Sequence, residues 1–229
     1  MSVDDAAWEA LRLSLWVACW ATLLAIPLAL WIAWLLARKE FAGKTALNAL
    51  VHLPLVLPPV VTGFLLLIAF GRTAPLGRML DSLGLSLAFH WSGAVLAAII
   101  MGFPLMVRAM RLAIEAVDPR LEEAAATLGA PRIAIFGRVT LPLILPGILA
   151  GAVMGFAKAM GEFGATITFV ANIPGQTQTL PSAIWTALQI PGGEGQAAAM
   201  VLMAAAVALG AVVLSEALAR RVAARIAGA

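Results

Sequence analysis

The chain has 229 residues, 62% of them hydrophobic and 12% charged, with a mean hydropathy of +0.99. Soluble domains are about a quarter charged, so this composition excludes an ordinary water-soluble domain and suits one compact membrane domain. The formal charge of +3 and pI near 9.8 are no argument for nucleic acid, because cytoplasmic loops of membrane proteins carry the same small excess of Lys and Arg.

Leu13 to Ala37 contains no charged residue. At about 1.5 Å per residue it covers a hydrocarbon core of about 30 Å. Asp4, Asp5 and Glu9 precede it, where a signal peptide would be basic, so it reads as a retained first span. Cys19 lies in this run and is the chain's one cysteine. It has no intrachain disulfide partner and reads as a small buried hydrophobe. Ala46 to Phe70 is the second span, with His52-Leu-Pro-Leu-Val-Leu-Pro-Pro-Val-Val-Thr-Gly63 inside it. Pro54, Pro58 and Pro59 remove three backbone donors. This predicts either a kinked packing helix or a broken helix lining a pathway, with Pro58 and Pro59 at the break. Pro27 and Pro104 predict kinks in the first and third spans. Ala88 to Val107 is the third span, with Arg108 and Arg111 at its end. His52 and His90 lie too far apart, with no ligand-spaced partner, to suggest a metal site.

A cytoplasmic connection follows. Asp118-Pro119 is a helix start, with Asp at the N-cap and Pro at the first helical position. Glu122 and Glu123 stand in the early turns, where the helix dipole favours acids. Leu121, Ala124, Ala125 and Leu128 form an apolar face at helical spacing, and Gly129 closes the helix. Pro131 opens a second short helix through Phe136 and Val139. The exposed apolar stripe suits either docking into a partner's groove or lying on lipid.

Val139 to about Phe163 is the fourth span, with Gly147, Ala150, Gly151 and Gly155 at spacings that favour close helix packing. Lys158 and Glu162, four residues apart, interrupt it roughly 28 Å along its axis. They read as a snorkelling ion pair at the outer interface or, alternatively, as a polar rim of a pathway together with Thr166 and Thr168. Within Gly164 to Gln196, the apolar piece Leu180 to Ile190 is too short to span and is either re-entrant or part of an outer loop. Ala197 to Leu214 is the fifth span, ending at Glu216, Arg220 and Arg221.

Cations concentrate on one side: Arg38, Lys39 and Lys44 in the first connection, Arg108 to Arg138 in the third, and Arg220, Arg221 and Arg225 in the tail. The other side has Arg12, Arg72 and Arg78. This predicts an outside N-terminus and a cytoplasmic C-terminus, which five spans also require. Trp8 and Trp91 fall at outer ends and Trp31 and Trp34 at the inner end, as an aromatic belt would place them.

Glu123-Ala-Ala-Ala-Thr-Leu-Gly129, followed after nine intervening residues by Val139-Thr-Leu141-Pro142, resembles the EAA loop of ABC importer permeases. Only Val139, where the pattern has Ile, departs from it. The resemblance implies that Glu123, Ala124, Ala125 and Gly129 dock in a cleft of a cytoplasmic ATPase, with Glu122, Leu141 and Pro142 in the same coupling set. It also implies two copies of the chain around a central path, a pair of ATPase subunits, an external oxyanion-binding protein, and a bacterial inner-membrane location. The chain has no Gly-x-x-x-x-Gly-Lys-[Ser/Thr] motif, so ATP and Mg are expected on the partner and no cofactor on this chain.

His52 to Val61, Phe103-Pro-Leu-Met-Val-Arg-Ala109, Gly161-Glu-Phe-Gly-Ala-Thr-Ile-Thr-Phe169, Asn172-Ile-Pro-Gly175 and Pro191-Gly-Gly-Glu194 are similar to the molybdate branch of that family. Sulfate permeases share the Gly-Glu-Phe-Gly element and are the alternative cargo class. The expectation is an all-α, five-span permease that carries molybdate or tungstate by alternating access. Two other classes fit the sequence less well. No Ser/Lys, Asp/Asp or His-x-x-x-His set marks an intramembrane enzyme, and a passive sensor or structural subunit would have no use for the docking loop.

Overall fold

The structure, a computed structural model, describes residues 3–226. The side chains of Asp4 and Arg225, counted in the charge pattern, lie outside the described set. Every regular element among the described residues is helical: α1 (Val3–Arg38), α2 (Lys44–Val56), α3 (Pro59–Phe70), α4 (Pro75–Ser82), α5 (Trp91–Glu115), α6 (Pro119–Thr127), α7 (Arg132–Ile135), a π-helical turn (Phe136–Thr140), α8 (Leu141–Met160), α9 (Gly164–Val170), α10 (Leu180–Leu188) and α11 (Glu194–Ile226). Four stretches are single helices long and apolar enough to cross a membrane: Asp5–Arg38, Trp91–Glu115, Arg132–Met160 and Glu194–Leu214. α2 and α3 qualify only as a pair bent by 113°, and counting that pair as one span gives five. The helices run past the apolar stretches that suggested them, because a helix continues into the interface wherever its backbone bonds are satisfied.

Packing follows the small residues. Along α1, Ala18, Ala21, Ala25, Ala29 and Ala33 are all buried, at spacings of three and four, and α5 lies on this seam. Short side chains let two backbones approach closely, which is the main source of helix association in lipid. On α8, Gly147 meets Ala113, Gly151 meets Met106 and Met110, and Gly155 meets Met106 and Gly102, all on α5. Ala150, expected on that face, is exposed. α1, α5 and α8 thus form one packed body. Its buried core divides into a half around Ala18, Ala98 and Ala159 and a half around Leu36, Met110 and Ile144.

Cys19 corrects an expectation, since it is exposed. In lipid an apolar side chain faces outward at no cost, so hydrophobicity alone does not place it. The Gly164–Gln196 region divides into α9, packed on α3, and α10, packed on α11 and α1. Ser14 of α1 anchors α10, accepting from Leu180 N at 2.7 Å. α10 is therefore a short helix held against the bundle.

Candidate functional site

α6 has the local chemistry of a self-standing helix. Asp118 accepts from Arg120 N at 3.0 Å, and Pro119 occupies the first position, where a missing N–H costs nothing. At the other end Ala130 N donates to Ala125 O (3.3 Å) and Gly129 N to Ala126 O (3.0 Å). Those two bonds form a Schellman cap, which needs a left-handed residue, and Gly129 supplies it at φ +82°.

None of α6 is buried. Leu121 and Ala124 are exposed, Leu128 is 88% exposed, and Ile133 beyond the turn is also 88% exposed. The stripe expected from spacing is uncovered, with Glu123 exposed beside it. Glu122 reaches inward to α1 and the π-helical turn. Beside this face an open crevice runs between α6 and the C-terminal end of α1, bordered by Trp31, Trp34, Lys39 and Arg132. The Lys39 ammonium stands 5.4 Å from the centre of the Trp34 ring, a cation–π distance.

The segment after Pro131 differs from its expectation. Pro131 caps α7, but α7 passes through the π-helical turn into α8 as one helix from Arg132 to Met160. No break separates a second short helix from the fourth span, because Pro142 and Pro146 fall where the backbone continues without their N–H groups. Leu141 and Pro142 are half-buried at the start of α8.

The second region is the joint of α3 and α9. Leu57 and Pro58, each preceding a proline, are both extended (ψ 140° and 134°), which turns the chain between α2 and α3. α3 then packs so closely on α9 that a Cβ on Gly63 would lie 2.5 Å from Ala165 O. A Cβ on Gly164 would lie 2.8 Å from Pro59 Cβ. α8 ends at Met160 with Gly161 as its cap, so Glu162 sits in the bend and not on the span. It is 3% exposed, receives Lys158 Nζ at 2.6 Å and accepts from Ala165 N at 3.0 Å. The pair exists, but it is a buried carboxylate capping α9 and not a snorkelling surface pair.

The residues expected along a path therefore divide. Pro59, Glu162 and Thr168 converge on the α3–α9 joint. Thr168 Oγ1 donates to Gly164 O at 2.8 Å. Thr166 is buried in the core, and Pro58 is exposed at the bend. Sequence reasoning assigned no role to Gly63 and Gly164, whose signal is the absence of a side chain where two backbones meet. It also missed Thr62, whose buried hydroxyl has no partner. Among the described residues no three His, Cys, Asp or Glu side chains converge to hold a metal ion. His52 hydrogen-bonds Asn48 O, and His90 caps α5. The arrangement offers an exposed helix at one end and a bent, close-packed joint within the bundle.

A chain of this architecture, with a helical loop outside the bundle and a broken membrane helix inside it, has the features of a transport subunit. The family model described as "binding-protein-dependent transport system inner membrane component" matches residues 25–227, and the chain belongs to that family. Within it the chain is 54% identical over 221 residues to the molybdenum transport system permease protein ModB of Escherichia coli (strain K12), covering 96% of each. It is 53% identical over 214 residues to ModB of Haemophilus influenzae, covering 93% of each. Its fold is similar to that of a bacterial alginate ABC transporter in complex with an alginate pentasaccharide-bound periplasmic protein, at TM-score 0.74 and 21% identity, over 93% of this chain and 78% of that one.

Proposed function

We infer that this chain is the membrane-spanning subunit of an importer for molybdate or tungstate. The observation that carries the cargo class is near-full-length identity of 54% to a relative named for molybdenum transport. The exposed stripe of α6 supports the mechanism: a helix with no buried residue and Leu128 uncovered is a surface built to be covered. In this reading residues 1–229 form one permease domain, and Glu123, Ala124, Ala125 and Gly129 in the 118–142 loop seat a cytoplasmic ATPase that holds ATP and Mg. Two copies of the chain surround the path. The N-terminus lies outside, where a hollow formed by Glu9, Arg12 and the Pro174–Gly175 turn offers polar contacts to an external binding protein. Closure of the ATPase pair moves α6, and the spans alternate between outward and inward openings.

Path residues are proposed at the α3–α9 joint: Pro58, Pro59, Thr168 and the Lys158–Glu162 pair, with Thr166 behind them. Lys158 is largely neutralised by Glu162, so the path offers an oxyanion a weak, transient foothold, which favours release. The deciding experiment is uptake into vesicles holding the permease, its ATPase and the binding protein, with molybdate, tungstate and sulfate in competition. Uptake blocked by molybdate and tungstate supports the reading. Uptake indifferent to both and blocked by sulfate sinks it.

A further inference from the structure

Two neighbouring glutamates on α6 both border the crevice beside α1 but meet different surroundings. Glu123 is exposed on the docking side. Glu122 is drawn inward, and a single oxygen, Oε1, is the acceptor for two donors from distant parts of the chain. Thr140 Oγ1 of the π-helical turn donates to it at 2.7 Å, and Arg38 Nη2, from the last residue of α1, lies at 3.4 Å. The same Nη2 donates to Val117 O at 3.1 Å, at the joint where α5 hands over to α6. Thr140 is 1% exposed. Arg38 Nε is also buried and has no hydrogen-bond partner, so the guanidinium is held here at some cost in hydration.

These ties matter because α6 has almost nothing else. With no buried side chain of its own, it would swing on the Val117–Asp118 joint and the Gly129 turn. Arg38 grips that joint and the helix together, and Thr140 adds a third point on the element leading into α8. The π-helical turn carries one more residue per hydrogen-bonded ring than an α-turn, shifting the residues after it by about 100° around the axis. This local widening supplies the register in which Thr140 meets α6. Both α1 and α8 pack on α5, so a displacement of α6 passes into the whole three-helix body.

We propose that Arg38, Glu122 and Thr140 form an internal latch that makes α6 move with α1 and α8. They are positioning residues for energy coupling, whereas Glu123 belongs to the docking face. The proposal rests on the reading of α6 as the seat of an ATPase, and its test separates the two. Hydrogen exchange over residues 119–127 is measured in the purified permease alone. ATPase co-purification and uptake per ATP are measured in the reconstituted complex. The variants are Glu122→Gln, Thr140→Val, Thr140→Ser and, for comparison, Glu123→Gln.

Glu122→Gln and Thr140→Val are expected to speed exchange across 119–127 about ten-fold, to retain the ATPase, and to lower uptake per ATP about five-fold. Thr140→Ser, which keeps the hydroxyl, is expected to stay near the unaltered chain in all three. Glu123→Gln is expected to weaken ATPase retention with exchange unchanged. Unchanged exchange in both Glu122→Gln and Thr140→Val overturns the latch, as does loss of the ATPase from Glu122→Gln without faster exchange. Should Glu122→Gln fail to accumulate, Thr140→Val carries the test, since it removes one hydroxyl. If no ATPase co-purifies with the unaltered chain, the docking reading fails, while the exchange result still decides whether the latch holds α6.

Discussion

The α1–α5–α8 body and the α3–α9 joint are both held by small residues in close contact, yet one is continuous and the other broken. Pro27, Pro104 and Pro146 all lie inside long helices that continue through them. Pro58 and Pro59 end α2 and turn the chain by 113°. A single proline removes one donor and crowds one carbonyl, which neighbouring helices tolerate. Two in succession also force both preceding residues into extended backbone, and no helix accommodates that. The number of adjacent prolines, more than their presence, therefore marks the hinge. The contacts differ as well: Gly155 in the body faces the flexible Met106 side chain, whereas Gly63 faces the backbone of α9.

The largest effect should come from Gly63→Val. Its Cβ would be 2.5 Å from Ala165 O, a backbone atom that moves only with all of α9. A loss of about 3 kcal/mol is expected, read as lowered thermal stability in detergent and uptake near background. A stable, transporting Gly63→Val variant would break the contrast between joint and body. Next comes Glu162→Ala, which strands Lys158 and leaves Ala165 N without its acceptor, at a cost of about 2 kcal/mol. Lys158→Met should cost less, because the amine is partly exposed and the α9 cap survives. If Lys158→Met proves the more damaging of the two in uptake at equal stability, the lysine itself acts on cargo.

On α6, Leu128→Ser should leave the melting temperature of the isolated permease unchanged, within about 0.5 kcal/mol, while reducing ATPase co-purification. The smallest effect on uptake is expected for Gly155→Ala, whose stability cost stays below about 1.5 kcal/mol. Its new methyl would fall 2.5 Å from Met106 Sδ, the far part of a side chain that can change rotamer. A severe defect there would mean that the body is as unforgiving as the joint.

Local signals were legible. Asp118, Pro119 and Gly129 each act within a few residues, and α6 begins and ends where they indicate. The alanine and glycine spacing on α8 likewise pointed to its packed face, apart from Ala150. Other features depend on pairs far apart in sequence. The Arg38–Glu122 and Glu122–Thr140 contacts join residues separated by 84 and 18 positions, and nothing local announces them. The end of α8 was hidden too, because the sequence turns apolar again after Glu162, which turns to cap α9. Cys19 was misread because water, which sorts apolar residues inward in soluble proteins, is absent around a membrane helix.

That exposed thiol has a practical consequence. The chain carries one cysteine, on the outward side of α1 and off the alanine seam that meets α5. A membrane-permeant maleimide or spin label would therefore attach at a single known place, with no native thiols to remove first. In a paired assembly the two labels would form one distance ruler, and its change between nucleotide states would report how far the rigid three-helix bodies travel during a transport cycle.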